Sequence, residues 1–236
     1  MPHLPSDRYA RQTALAEIGF DGQRRLSDAH VLVVGAGGLG SPILQYLCAA
    51  GVGRIGIVDD DCVSLSNLQR QVLYTEEDLA RPKALVAQAR LVAMNADCYV
   101  EAFVERLTTE NALCLAASCD LLVDASDNAA TRYLIDATAL ALGIPWVYGS
   151  IAGWEGQLSV FGYAHPTRYP DLFPQAEDGA AADPPPAVVG ALPGAVGSLM
   201  AAEALKVLLG RPASETLSGR LLLVDLLHGS TQTIRY

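Results

Sequence analysis

The chain has 236 residues, of which 51% are hydrophobic and 18% charged, and a formal net charge of -10. This length and apolar content suit one large α/β domain and exclude extended disorder over most of the chain. The acidic balance argues against nucleic acid as the main partner, because phosphodiester binding needs a basic surface.

In chain order, Ser6 or Asp7 is placed to cap a first helix over RYARQTALAEIG, and DGQRRLSDA follows as a second, short helix. A regular alternation then begins. HVLVVG, RIGIVD, CYVEAFV, DLLVDAS and PWVYGS read as five strands. SPILQYLCAAG, PKALVAQARLVAMNA, TENALCLAASC and NAATRYLIDATALALG read as the helices between them, with Pro82 in the favoured first turn of its helix. Strands alternating with helices predict βαβ units and a mostly parallel sheet.

The rhythm changes after residue 150. GQLSVFGY reads as a strand with no helix behind it, and residues 164–192 form a long proline-rich loop ending in EDGAAADPPPAVVGAL. A loop of that length in a compact domain is usually functional or disordered. A buried helix over 193–209 and a closing hairpin, GRLLLVDLL with STQTIRY, complete the chain. The fold class is therefore α/β: a Rossmann-like, mostly parallel sheet flanked by helices, with N-terminal helices and a C-terminal antiparallel extension.

Five cysteines (Cys48, Cys62, Cys98, Cys114 and Cys119) include no C-x-x-C pair. No disulfide framework or structural zinc is indicated, and a reducing cytoplasm fits. Cys48 reads as core, and Cys62 as a small, partly buried residue rather than a nucleophile. The start, MPHLPSDRYARQ, lacks an apolar signal core, and AVGSLMAAEALKVLLG carries Glu203 and Lys206 and is short for a bilayer. The expectation is a soluble protein without a membrane partner.

Gly35, Gly37 and Gly40 form G-x-G-x-x-G between a predicted strand and helix. Glycine there permits a tight turn and lets backbone N–H groups approach a phosphate at a helix N-terminus. Asp59, at the end of the next strand, stands where an acid holds ribose hydroxyls. The pattern indicates a nucleotide without saying which one.

DDDCVSLSNLQRQ then contributes Asp61, Asn67, Gln69, Arg70 and Gln71, RPK places Lys83 at a helix start, and VDASDN ends with Asp127 and Asn128. Taken singly, Lys83 reads as a solvated helix residue, Arg70 as a surface charge and Asp127 as a helix cap. Ligands of open α/β sheets sit beyond the carboxyl ends of the strands, so these side chains can converge at one edge.

RYARQ, VLVVGAGGLGSP, VDDDCVSLSNLQRQ, RPK, VDASDN and EGQLSVF occur in that order. The combination resembles the MoeB/ThiF/HesA family of adenylyltransferases, relatives of ubiquitin-activating enzymes. The likeness is strong over about residues 7–162 and resumes through GALPGAVGSLMAAEALKVL.

The resemblance implies a single adenylyltransferase domain over 1–236, with a nucleotide-binding core at 7–150 and carrier-binding strands, crossover loop and hairpin over 151–236. It implies that the glycine loop, including Gly38, packs on the phosphates of ATP and that Asp59 binds ribose. Asn67, Arg70 and Lys83 match triphosphate contacts, and Asp61 and Asn128 fall within the same ATP-binding set. Asp127 matches the aspartate associated with magnesium. Arg11 matches an arginine that reaches into the neighbouring subunit's site, so a homodimer is implied. The partner implied is a small ubiquitin-like sulfur-carrier protein ending in Gly-Gly. Its terminal carboxylate attacks the α-phosphate, and pyrophosphate leaves.

The sequence departs from the family in two places. YAHPTRYPDLFPQ and the tail STQTIRY lack the two C-x-x-C pairs with which many members bind zinc. The crossover loop lacks the cysteine that takes up sulfur or a thioester. An enzyme that stops at the adenylate, with a separate sulfur donor, is expected. A non-catalytic carrier-binding subunit and an NAD-dependent dehydrogenase are the alternatives. Trp154 either packs on the incoming tail or anchors the sheet edge, and Arg132 faces either the carrier or solvent.

Overall fold

A computed structural model describes residues 8–174 and 187–236. Five short strands build its parallel half: His30–Val34 (β1), Arg54–Val58 (β2), Tyr99–Phe103 (β3), Leu121–Asp124 (β4) and Trp146–Ala152 (β5). Three more, Glu155–Phe161 (β6), Arg220–Asp225 (β7) and Ser230–Arg235 (β8), continue the same sheet antiparallel. The spatial order is β3-β2-β1-β4-β5-β6-β7-β8. The chain therefore leaves β1 toward β3, then returns to place β4 on the other side of β1. That reversal opens a crevice above the carboxyl ends of β1 and β4, where open α/β sheets bind ligands.

Helices cover the sheet because its parallel strands are apolar on both faces, as HVLVV and LLVD are in β1 and β4. Gly40–Ala49 (α3), Lys83–Met94 (α4) and, late in the chain, Ala191–Leu208 (α8) pack on one face. Ala112–Ala116 (α5), Ala129–Leu142 (α6) and Tyr169–Leu172 (α7) pack on the other. There Trp146, Tyr148, Phe161, Tyr169 and Phe173 form a cluster of tilted rings. By length and composition α8 is apolar enough to cross a membrane. It is instead a core helix: Leu192, Val196, Met200 and Ala204 are fully buried, and Glu203 is buried in an ion pair with Lys206 while accepting the Leu217 N–H.

Several expectations need adjusting. The helix read over 8–19 is a single turn, Ala10–Thr13 (α1), followed by turns, and the next helix, Gly19–Asp28 (α2), starts two residues earlier than read. Gly19 has φ 58°, a left-handed geometry that separates the two helices. The proposed caps Ser6 and Asp7 lie outside the described residues. So do residues 175–186 of the 164–192 loop, whose described portion contains α7 and the first two residues of α8. Cys48 is fully buried, as expected, but Cys62 is exposed. Trp154 sits at the β5–β6 hairpin tip, 45% exposed, so it does not anchor the sheet edge by burial.

Candidate active site

The crevice between β1 and β4 deepens into a cavity of about 510 Å³ at the carboxyl edge of the sheet. Its floor is the glycine turn after β1. Gly35 has φ 101°, and a Cβ there would lie 2.6 Å from the Ala125 carbonyl oxygen, so only glycine fits without displacement. Gly37 and Gly38 line the cavity and lead into the N-terminus of α3, whose unpaired N–H groups favour an anion. Gly40 does not line it. A Cβ at Gly40 would meet the Gly35 oxygen at 2.3 Å, so this glycine permits the turn to close on α3 rather than contacting a ligand.

Asp59 stands at the tip of β2. Its Oδ2 accepts the Ala36 N–H at 2.7 Å and its Oδ1 the Asp61 N–H at 2.9 Å, which aims the carboxylate across the glycine turn. Burial raises its carboxyl above the ordinary range, and the Ala36 N–H and nearby Lys83 act against that rise.

Residues 61–83 form a loop closed at its base. The Lys83 N–H donates to the Asp61 carbonyl at 2.9 Å, and Lys83 Nζ donates to Asp61 Oδ2 at 2.8 Å. Two anchors inside the loop hold its shape. Tyr74 donates its hydroxyl to the Ala36 carbonyl at 2.6 Å, and buried Asp78 pairs with Arg81 at 3.0 Å and Arg90 at 2.7 Å. The loop thereby brings Arg70, Gln71 and Lys83 to the cavity wall. Lys83 is only 4% exposed, so it is a buried ammonium whose counterion, Asp61, is itself well exposed. Gln71 is buried with its Oε1 lacking a partner, an orphaned acceptor at the cavity. Asn67 ends a 3-10 turn of the loop and is not among the cavity-lining residues; Gln69 packs instead beside Gly190.

On the far side, Asn128 rather than Asp127 caps α6, its Oδ1 accepting the Thr131 N–H at 2.9 Å. Asp127 is thereby left exposed at the cavity mouth, with Asn128 Nδ2 3.5 Å away. Of the site residues singled out from the sequence, Gly35, Gly37, Gly38, Asp59, Asp61, Arg70, Gln71, Lys83, Asp127 and Asn128 border the cavity. Arg11 is exposed on α1, away from it.

Sequence reading overlooked two ion pairs. Arg106, after β3, reaches Asp60 at 3.2 Å on the rim. Arg132 of α6 reaches Asp124, at the end of β4, at 3.3 Å inside the wall. The Asp124 carboxyl is pushed up by complete burial, opposed by Arg132 and Ser126. Neither pair is signalled by a local spacing: 46 residues separate Arg106 from Asp60, and eight separate Arg132 on α6 from Asp124 on β4.

The donor set suits a nucleoside triphosphate: helix-terminal N–H groups, two cations from one loop, and a carboxylate facing them. A single exposed carboxylate such as Asp127 also suits magnesium, which keeps most of its water and is held by one or two carboxylates plus phosphate oxygens. Among the described residues, no three His, Cys, Asp or Glu side chains are grouped to hold a metal by themselves.

The ThiF family model matches residues 9–236. The chain belongs to the ThiF family. This ThiF-family chain is 54% identical to the sulfur carrier protein adenylyltransferase of Thermus thermophilus, over 95% of the chain and 84% of that relative. It is 44% identical to the SAMP-activating enzyme E1 of Haloferax volcanii, over 98% of the chain and 85% of the relative. It is 45% identical to the probable adenylyltransferase/sulfurtransferase MoeZ of Mycobacterium tuberculosis, of which it spans 59%. Crystallised MccB of E. coli shares the fold, with a TM-score of 0.83 at 16% identity over 99% of this chain and 72% of that one.

Proposed function

We propose that this ThiF-family chain is an ATP-dependent adenylyltransferase acting on the C-terminal glycine carboxylate of a small ubiquitin-like sulfur-carrier protein. The observation that carries the reading is the single cavity where the glycine turn, Asp59, Arg70, Lys83 and Asp127 meet. The relatives named above as sulfur-carrier and SAMP-activating enzymes support the choice of substrate. A dehydrogenase would leave Arg70, Lys83 and Asp127 without a role.

In this reading Asp59 accepts hydrogen bonds from the ribose hydroxyls, and the Gly37 and Gly38 backbone lies along the phosphates. Gln71 accompanies Arg70 and Lys83 beside the triphosphate. The carrier's carboxylate is ionised at neutral pH and needs no general base. One of its oxygens bonds to the α-phosphorus while the bond from that phosphorus to the β-bridging oxygen breaks, giving an acyl-adenylate and pyrophosphate. The barrier is electrostatic, an anion approaching a polyanion, so the work of the protein is alignment and cationic stabilisation. Lys83 and Arg70 take up charge on the departing pyrophosphate. Asp127 is the residue that would hold magnesium, which when bound neutralises phosphate charge.

Arg11, exposed on α1, completes the site of a second protomer in a homodimer. The product serves a sulfur-requiring pathway of the thiamine or molybdopterin kind, with sulfur delivered by another protein. The test is ATP–pyrophosphate exchange dependent on a carrier protein ending in Gly-Gly. Exchange with that carrier and none with a truncated carrier is the expected result. In mixtures, Arg11→Ala and Asp127→Ala subunits should restore each other's activity; failure to recover any would remove the shared site.

A further inference from the structure

A second concavity of about 380 Å³ runs over the open face of β5–β8 and is lined by Glu155, Gln157, Leu223, Asp225 and Gln232. Ser150, Ile151 and Ala152 line both this groove and the nucleotide cavity, so the two are continuous at the end of β5. Arg132 lines the nucleotide cavity and reaches the groove side through Tyr148, whose hydroxyl Gln157 of the groove contacts. The Arg132 side chain is 13% exposed and borders the cavity opposite the loop that carries Arg70 and Lys83.

Contacts with Asp124, Ser126, Tyr148 and Tyr169 hold its guanidinium. Nε donates to Asp124 Oδ2 at 3.3 Å, and Nη2 donates to the Ser126 carbonyl at 3.4 Å. The Cζ lies 5.6 Å from the centroid of the Tyr148 ring. Asp124 is in turn fixed by the Ser126 hydroxyl at 2.5 Å and the Ser126 N–H at 3.0 Å. Tyr148 is fixed by Gln157, whose Nε2 donates to its hydroxyl at 2.7 Å, and Gln157 belongs to the groove. A guanidinium has five N–H donors in a rigid fork, and these contacts use only some of them. A purely structural ion pair has no need to sit at a cavity wall, aligned from behind by an acid and from the side by an aromatic ring.

We propose that Arg132 orients the substrate's terminal carboxylate, receiving it at the point where the groove enters the nucleotide cavity. Asp124 and Tyr148 are positioning residues for this guanidinium. The assignment rests on the adenylyltransferase reading and adds to it a division of labour. The cations of the 61–83 loop face the phosphates, and the cation of α6 faces the attacking anion. A fork on the attacking oxygen's carboxylate also keeps the two anions in register before reaction.

The experiment measures binding of a Gly-Gly-ending ubiquitin-like sulfur-carrier protein, as free acid and as semisynthetic C-terminal amide, with a non-hydrolysable ATP analogue present. The unmodified enzyme should prefer the acid about tenfold, as a charge-assisted hydrogen bond implies. Arg132→Gln combined with Asp124→Asn avoids stranding a buried acid, and it should bind acid and amide equally while keeping its affinity for the ATP analogue. Arg132→Lys, which keeps the charge and loses the fork, should retain part of the preference. A double variant that still prefers the acid tenfold overturns the assignment, as does an unmodified enzyme indifferent to amidation. Absence of carrier-dependent pyrophosphate exchange in the unmodified enzyme overturns the adenylyltransferase reading itself. Normal exchange with unaltered acid preference in the double variant overturns Arg132 alone.

Discussion

The two halves of the sheet differ in pairing, parallel from β3 to β5 and antiparallel from β5 to β8, and they serve different ends. In the parallel half, β1 is buried along its whole length and β4 likewise, with helices on both faces. In the antiparallel half, only Leu221 and Val224 of β7 are buried, and β8 is exposed throughout. A sheet covered on both sides has its carboxyl edge as the place for a ligand, and a cavity of small-molecule size forms there. A sheet covered on one side keeps a broad face for a macromolecule. α8 belongs to both halves, packing on β4, β5 and β6. The molecule therefore places the carboxyl-edge cavity beside an extended face, and the end of β5 is common to both.

Four variants break or sharpen that contrast, from the largest effect to the smallest. Asp127→Ala touches only the cavity. It should lower carrier-dependent pyrophosphate exchange by about a thousandfold, as loss of a group aligned with developing charge does, with the thermal midpoint unchanged. Unchanged exchange would remove Asp127 from the site. Met200→Ala touches the joint between the halves: Met200 is fully buried in α8 against Gly149 of β5. It should cost about 2–4 kcal/mol in urea unfolding while keeping one transition. Two separated transitions would mean that the halves fold independently.

Tyr74→Phe removes the hydroxyl that ties the 61–83 loop to the glycine turn. About 1 kcal/mol of stability should be lost, with a weaker affinity for ATP, because the loop carrying Arg70 and Lys83 is loosened. Asp78→Asn tests the same loop through pH. Burial alone would raise the Asp78 carboxyl; the Thr75 hydrogen bonds and Arg90 outweigh it and hold the carboxyl below its ordinary range. A carboxylate lowered in the folded state contributes stability above its unfolded value, near pH 4, and loses it as pH falls through the folded value. Unfolding midpoints of the Asn variant and the parent should therefore differ at neutral pH, begin to approach each other as pH falls past about 4, and converge once pH lies below the folded value. A difference that persists in acid would show that Asp78 acts by packing.

Much of the site was legible before folding. Gly35 and Asp59 announce themselves through strand, turn and helix, because each answers a local backbone demand. Arg70 and Lys83 were placed at the same edge by the rule that strand ends converge. Gly40 and Asn67 matched the pattern yet stand outside the cavity. A motif position records chain spacing, whereas lining depends on where the loop is pulled by Tyr74 and Asp78. Asn128, next to the aspartate read as a possible cap, takes the capping role because its oxygen lies at the right distance from the Thr131 N–H.

The sequence by itself determined the alternation of apolar strands and helices, the glycine turn and the acid that follows it, since these obey periodicity and local sterics. Tertiary structure alone decided that Arg132 pairs with Asp124 beside Tyr148, that Lys83 is buried on Asp61, and that the groove of β5–β8 meets the carboxyl-edge cavity at the end of β5. Those are contacts between elements brought together by strand order, and charge pairing across a sheet leaves no period along the chain.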